Sequence, residues 1–289
     1  MSPQTLDELN KASLSDFTAT LGMVFEDAPW VAEHAAEARP FDSIAALHAA
    51  MMAAVTEAPA ARVLAFLRNH PELAGAAARA GTIGADSTAE QRGLQLSDPA
   101  ENTPEIAAEI AALNAAYTAR FGFPFILCVR RHSRASVLNE FRRRIDADPA
   151  SERATALDEI GYITRLRLVD RVSGPGAPSV HGQLTTHVLD TARGRPAPGV
   201  RVVLHDSEGR CLAERLTNRD GRTDEKLLSG APLRIGGYEL VFHLGTLFTE
   251  FGPPFFDVIP VRFAVVEPEA HYHVPLVVSP GAYATYRGS

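Results

Sequence analysis

The segment Ser173-Gly174-Pro175-Gly176-Ala177-Pro178-Ser179 divides the chain into two halves that obey different periodicities. It holds only small and turn-forming residues, which anchor no core, so it reads as a linker. On its N-terminal side the sequence is Ala-rich, with apolar residues at helical spacing. On its C-terminal side Val, Leu, Thr, Gly and Pro dominate, in short alternating runs. At roughly 100–200 residues per domain, a chain of 289 residues is expected to hold two domains. The boundaries expected are 1–172 (helical), 173–180 (linker) and 181–289 (β).

Composition narrows the classes of function. The formal charge is −7, from 28 Lys+Arg and 35 Asp+Glu. Residues 1–172 carry 17 and 23 of these (net −6), and residues 173–289 carry 11 and 12 (net −1). Neither half offers a cationic surface, so no nucleic-acid partner is expected. Hydrophobic residues at 46% supply a core to each half. Cys128 and Cys211 are too few for a disulfide framework or a Cys-rich zinc site. No apolar run reaches the roughly 20 residues that span a bilayer. The first residues, Met1-Ser2-Pro3-Gln4-Thr5-Leu6-Asp7-Glu8, lack the basic and apolar regions of a secretory signal. A cytoplasmic protein with no membrane partner is the expectation. No internal repeat is visible.

The first half is punctuated as helices. Ile44, Leu47, Met51 and Val55 lie on one helical face, with Asp42 or Ser43 as cap. Thr103-Pro104-Glu105 is a start signal: Thr as N-cap, Pro at N1, Glu in the first turn. That helix carries Ile106, Ile110, Leu113 and Tyr117 and stops at Gly122. Ser133–Ile145 and Ser151–Val172 read as two more. The apolar run Phe123–Val129 is too short for a helix of its own.

The second half alternates. Leu184–Leu189, Val200–His205, Cys211–Leu216, Tyr238–Leu244, Pro260–Val266 and Tyr272–Val278 are strand-length segments. Arg195-Pro196-Ala197-Pro198-Gly199, Asp206-Ser207-Glu208-Gly209 and Asn218-Arg219-Asp220-Gly221 are turn signals between them. Short strands at this spacing predict a β-sandwich or barrel.

Candidate chemistry in the helical half begins at His70-Pro71, where proline biases His70 out of the helix and leaves an imidazole at its terminus. Alone, His70 reads as a surface residue. Ser87-Thr88-Ala89-Glu90 alone reads as a capping box, with Ser87 as N-cap and Glu90 at N3. The combination says more. Glu26-Asp27-Ala28-Pro29-Trp30-Val31-Ala32-Glu33, His70-Pro71, Ser87-x-x-Glu90-Gln91, Phe121-Gly122-Phe123-Pro124-Phe125-Ile126 and Ile163-Thr164-Arg165-Leu166-Arg167-Leu168 follow in order. In that order residues 5–172 resemble the family of OHCU decarboxylases, which act on 2-oxo-4-hydroxy-4-carboxy-5-ureidoimidazoline, a late intermediate of urate breakdown.

The resemblance implies roles. His70 is the general acid/base that protonates the carbon losing CO₂, suited by an ordinary pKa of about 6.5. Glu90 and Gln91 bind the ureido and ring amides. Arg167 holds anionic oxygen on the substrate. Pro71, Ser87, Phe125 and Ile126 line the pocket. Arg165 competes for the arginine role, but Arg167 is four residues from Ile163 and can point inward. No metal or organic cofactor is implied.

In the β half, alternation puts Leu184, Thr186 and Val188 on one face and Thr185, His187 and Leu189 on the other. Arg222 follows the Asp220-Gly221 hairpin signal. His271-Tyr272-His273 places two histidines on one side of a strand. Such a pair can ligate a metal, but no third ligand motif accompanies it. The final residues are Tyr286-Arg287-Gly288-Ser289. With the His187-Val188-Leu189-Asp190 and Asp220-Gly221-Arg222 segments, residues 181–289 resemble the 5-hydroxyisourate hydrolase family, the enzymatic branch of the transthyretin-like fold. The terminal tetrapeptide separates these hydrolases from the hormone-carrying transthyretins.

That resemblance implies that His187 and His273 are an acid/base pair, that Arg222 neutralises the substrate's charge, and that Tyr286 and Ser289 complete the pocket. It also implies self-association through the β domain, as a dimer or tetramer, with residues from two chains in each site. The two families fit one pathway. Hydrolysis of 5-hydroxyisourate gives the ureidoimidazoline, and its decarboxylation gives (S)-allantoin. The expected protein is an all-α domain joined to an all-β transthyretin-like sandwich, with small-molecule substrates and no cofactor. The rival is a transthyretin-like carrier with a non-catalytic helical scaffold. It predicts loss of His187, Arg222 or the terminal tetrapeptide, and all are present. A second rival keeps the hydrolase and makes the helical half inert, against which His70, Glu90 and Gln91 stand together.

Overall fold

A computed structural model describes residues 3–75, 78, 83–92, 103–245, 247–249 and 255–288. It divides into two compact units, Met1–Arg130 with Arg134–Ser179, and Arg131–Ser133 with Val180–Ser289.

The first unit is helical. Among the described residues its α-helices include α1 (Leu6–Lys11), α2 (Leu14–Leu21), α3 (Pro29–Ala35), α4 (Ile44–Thr56), α5 (Ala60–Arg68), α6 (Ala85–Arg92), α7 (Pro104–Phe121), α8 (Arg134–Arg144) and α9 (Pro149–Arg171). Their ends follow local chemistry. Ser43, not Asp42, caps α4 by accepting from the Ala46 amide. Thr103 accepts from Ile106 N, Pro104 opens α7, and Gly122 closes it at φ 77°. A Cβ is disfavoured at that left-handed φ, which is why the stop is glycine. Helix α9 starts two residues before the expected Ser151. Asp148 accepts from the amides of both Ala150 and Ser151, and Pro149 needs no partner at N1.

The inward stripe of α9 includes Ile160, Ile163, Leu166 and Arg167. Phe123–Cys128 is neither helix nor strand and runs into a short 3-10 turn at Val129–Arg131, yet all of Phe123–Val129 except half-buried Pro124 is buried. Fixed contacts tie its backbone: Cys128 N donates to Glu159 Oε2 at 2.7 Å, and Ile126 O accepts from Arg144 Nη1 at 2.9 Å. The segment expected as a linker is partly anchored. Pro175 O and Gly176 O accept from the amides of Ile44 and Ala45, two of the donors that the first turn of α4 leaves unpaired.

The second unit is a β-sandwich. Its strands are β1 (Gln183–Thr185), β2 (Val188–Asp190), β3 (Arg195–Pro196), β4 (Arg201–Asp206), β5 (Cys211–Leu216), β6 (Gly236–His243), β7 (Val258–Val265), β8 (His271–His273), β9 (Leu276–Ser279) and β10 (Ala282–Thr285). One sheet runs β5-β4-β6-β7, all antiparallel, and the other β10-β9-β2-β3. Leu184, Val188, Leu204, Leu240, Phe242, Ile259, Leu276 and Val278 meet in the core.

The expected strand Tyr272–Val278 is interrupted. Pairs β8·β1 and β9·β2 are both parallel and share one register, with His271 opposite Gln183 and Leu276 opposite Val188. The break falls at Val274-Pro275, where proline has no amide to give the ladder. Thr186 Oγ1 donates to Val274 O at 2.6 Å and holds the gap closed. Among the described residues no single helix is long and apolar enough to cross a membrane.

Candidate active sites

In the helical unit, α5 ends just before His70, whose amide donates to Leu67 O. Pro71 cannot continue the helix, so the imidazole is left at its end. Helix α6 brings Ser87, Glu90 and Gln91 to the same cleft, and the irregular segment brings Phe125. His70, Pro71, Ser87, Glu90, Gln91 and Phe125 therefore line one cavity, together with Leu73, Leu127, Val129 and Ile163. Ile126 is not on this wall. Its side chain is fully buried and its carbonyl serves Arg144.

Arg167 sits beneath the cleft at 2% exposure. Its Nε and Nη2 donate to Glu90 Oε1 and Oε2 at 3.1 and 2.7 Å. Nη1 donates to Glu26 Oε2 at 2.6 Å and to Val24 O at 3.4 Å, and Nη2 also donates to Ser87 Oγ at 3.0 Å. Five donors meet five acceptors, so the fork is occupied by protein groups and not left for a substrate oxygen. Inward orientation was readable from the four-residue spacing to Ile163. Arg165 instead lies over the Tyr162 ring.

Ser87 is not an N-cap. Helix α6 begins at Ala85, and the Ser87 hydroxyl donates to the Glu26 carboxylate at 2.9 Å. Glu26 is the residue that sequence reasoning passed over as a functional group. It is 7% exposed, at a left-handed φ of 56°. Only the Glu26-Asp27-Ala28-Pro29-Trp30 motif signalled it. A left-handed non-glycine residue costs about 1–3 kcal/mol, and Ser87 and Arg167 hold its carboxylate there. Gly84 gives it room, since a Cβ at Gly84 would lie 2.5 Å from Glu26 Oε1. Gln91 Oε1 accepts from Ala74 N at 2.9 Å and so fixes the loop after Pro71. Burial, reinforced by the Arg167 charge, pushes His70 down to about 3 from its ordinary 6.5. The imidazole is neutral at pH 7, able to donate from one nitrogen and accept at the other.

In the β unit, the parallel pairing of β1 with β8 juxtaposes Thr185 and His273, while His187 follows β1 on the same face. His187 Nδ1 and His273 Nε2 are 2.6 Å apart, with their rings stacked at 4.8 Å. Thr185 Oγ1 lies 2.8 Å from both His273 Nδ1 and His271 Nε2. Thr185 and His271 were on the predicted faces but were not assigned a role. The Asn218–Gly221 turn closes through Gly221 N to Asn218 O at 2.9 Å. Gly221 is at φ 67°, and a Cβ there would strike Val188 O at 2.3 Å. The tight approach pairs Arg222 with His187 across an isolated bridge.

Burial lowers the pKa of His187, and Arg222 lowers it further. His273 is pushed down to about 4 by burial first, then by His187, Arg222 and His271. Tyr286 is 55% exposed, and Gly288 N donates to His273 O at 2.8 Å. Ser289 lies outside the described residues. Among the described residues no group of three or more His, Cys, Asp or Glu side chains is placed to hold a metal ion.

The chain thus carries two candidate sites on two folds: a histidine–carboxylate cleft between helices, and a histidine pair with an arginine on a sandwich. Residues 10–169 match the family model described as OHCU decarboxylase, and residues 184–288 match that of the HIUase/Transthyretin family. The chain belongs to the first family through its helical unit and to the second through its β unit. Among similar proteins is the 5-hydroxyisourate hydrolase of Deinococcus radiodurans, 52% identical over 118 residues, which are 38% of this chain and 99% of that one. Another is the 2-oxo-4-hydroxy-4-carboxy-5-ureidoimidazoline decarboxylase of Haloferax volcanii, 35% identical over 169 residues, 58% of this chain and 96% of that one. A solved structure of (S)-allantoin synthase is 32% identical with a TM-score of 0.54, covering 99% of this chain and 100% of its own.

Proposed function

We propose that this chain is a bifunctional enzyme of urate breakdown, hydrolysing 5-hydroxyisourate in the β unit and decarboxylating the resulting ureidoimidazoline to (S)-allantoin in the helical unit. The observation that carries the reading is the tandem of both families on one chain, matched end to end by an (S)-allantoin synthase structure. A carrier reading does not account for a decarboxylase family match on the helical unit beside relatives of the β unit that are 5-hydroxyisourate hydrolases.

In the hydrolase site, His187 and His273 take the proton of water as its oxygen adds to the ring amide carbon. Arg222 offsets charge on the substrate and the developing oxyanion. Tyr286 and Ser289 are assigned to substrate contact by their match to the family's terminal tetrapeptide. Arg222 and Tyr286 are both exposed in one protomer, which supports closure of the pocket by a second copy of the β unit in a dimer or tetramer.

In the decarboxylase site, His70 delivers a proton to the carbon that loses CO₂, and Glu90 and Gln91 bind the ureido and ring amides. Pro71, Ser87 and Phe125 shape the cavity. Arg167 acts through Glu90, holding both its oxygens and so fixing where the carboxylate points. These roles call for no metal or organic cofactor, and the location proposed is the cytoplasm.

The test assays the two half-reactions separately. His70→Asn is expected to abolish formation of (S)-allantoin while hydrolysis continues, and His273→Asn to do the reverse. If neither variant loses its own half-reaction, these sites are not where the chemistry occurs.

A further inference from the structure

We propose that Thr185 and His271 extend the His187–His273 pair into a proton relay that joins the substrate-facing nitrogen of His187 to bulk solvent. The proposal rests on the hydrolase reading of this site.

The geometry is an unbroken line of exchangeable groups. His187 Nδ1, His273 Nε2, His273 Nδ1, Thr185 Oγ1 and His271 Nε2 follow one another, with donor–acceptor steps of 2.6, 2.8 and 2.8 Å. Along that line burial changes from buried His273 to exposed His271. Both nitrogens of His273 are engaged, so it cannot pass a proton to solvent directly. Each end of the line has a second ring nitrogen, Nε2 of His187 and Nδ1 of His271.

A hydroxyl carries one proton, so Thr185 can donate to only one of its two histidines. The chain therefore has two concerted patterns. In the first, His187 donates from Nδ1 to His273, His273 donates from Nδ1 to Thr185, and Thr185 donates to His271. His187 Nε2 is then unprotonated and can act as a base. In the second, every bond is reversed and His187 Nε2 bears a proton. All three rings are neutral in both patterns. The depressed pKa of His273, about 4, keeps it able to donate and accept at once.

The cycle balances over one turnover. Water gives a proton to His187 Nε2 as its oxygen bonds to the ring amide carbon, and the carbonyl electron pair moves to oxygen. One proton passes down each link, and His271 releases one from Nδ1. The oxyanion then collapses and the ring C–N bond breaks, its electron pair going to nitrogen. That nitrogen takes the proton from His187 Nε2. A proton from solvent re-enters at His271 Nδ1, restoring the first pattern. The acid formed ionises to solvent.

Among the described residues, the charged and titratable groups facing the line are Arg222, opposite His187, and the three histidines themselves. Arg287 lies elsewhere, over the ring of Tyr272 and 3.7 Å from Glu267. Tyr272 is buried, on the opposite side of β8 from His271 and His273.

The full chain is assayed for 5-hydroxyisourate hydrolysis in dilute non-transferring buffer, then with added imidazole. Thr185→Val and His271→Gln are expected to lower kcat roughly 10- to 100-fold with KM nearly unchanged, while Thr185→Ser retains the rate. Imidazole restores His271→Gln by replacing the lost exit. Retention of hydrolysis by His187→Asn and His273→Asn overturns the site reading itself. If those two fail but Thr185→Val and His271→Gln stay within about twofold of wild type in dilute buffer, the relay is overturned. A loss that imidazole does not restore in His271→Gln, or one expressed in KM, also overturns it, because a structural defect has no such rescue.

Discussion

Gly288 is packed against the ring that the hydrolase site depends on. A Cβ at this position would lie 2.6 Å from His273 Cδ2 and 3.3 Å from both Cβ and Cγ of the same residue. Ordinary contact begins near 3.4 Å, so Gly288→Ala must displace the ring or the C-terminal segment by about 0.8 Å. The ring is held by the 2.6 Å contact to His187 and the 2.8 Å contact to Thr185, and a shift of that size directed away from them takes both past the roughly 2.7–3.2 Å range in which such bonds are strong. Moving the segment instead shifts Tyr286 and breaks the Gly288 N to His273 O bond. A misplacement of about 1 Å at a reacting group costs about 100-fold in rate, and that is the loss expected in 5-hydroxyisourate hydrolysis. The decarboxylation rate is expected not to change, because every residue assigned to it lies in the other unit. Measuring both half-reactions on Gly288→Ala tests this directly. Hydrolysis within about twofold of wild type refutes the reasoning that His273 must stay where it is.

Further outcomes follow from the helical unit. Arg167→Met leaves buried Glu26 and half-buried Glu90 without their cation, and removal of one partner of a buried pair costs about 3–5 kcal/mol. Urea unfolding followed by far-UV circular dichroism is expected to show that loss, and a change under about 1 kcal/mol contradicts it. His70 has a folded pKa of about 3 against 6.5 ordinarily, so the unfolded chain binds more protons below pH 6.5. Stability is full above that pH and falls as pH drops, by about 2 kcal/mol from His70 at pH 5. Thermal unfolding at pH 7 and pH 5 is expected to show a smaller acid-induced drop in His70→Asn than in wild type, and parallel drops count against a neutral imidazole at this half-buried position.

What was legible in the sequence was local or periodic. Thr103-Pro104 and Gly122 marked both ends of α7 because capping is decided within a few residues. Arg167 was legible because it repeats the α9 stripe. Ser87 was misread because Ser-x-x-Glu satisfies a local rule, whereas a carboxylate 61 residues away claims its hydroxyl. Glu26 owes its position to a left-handed backbone and to Arg167, neither of which nearby residues encode. Thr185 and His271 each lay on a predicted face. Their juxtaposition needed the parallel register of β1 and β8, which is set by tertiary packing. The Ser173–Ser179 segment reads as flexible from composition, yet Pro175 and Gly176 carbonyls close the start of α4. Pro275 is the opposite case. The break it makes in the strand follows from its missing amide alone.

The central claim, that one chain performs both steps, is tested by generating 5-hydroxyisourate in situ from urate with a urate oxidase and following allantoin by circular dichroism. The wild-type chain is expected to give optically active (S)-allantoin. His70→Asn is expected to give racemic product from spontaneous decay of the ureidoimidazoline. Racemic allantoin from the wild-type chain, at the same rate as without it, contradicts the account.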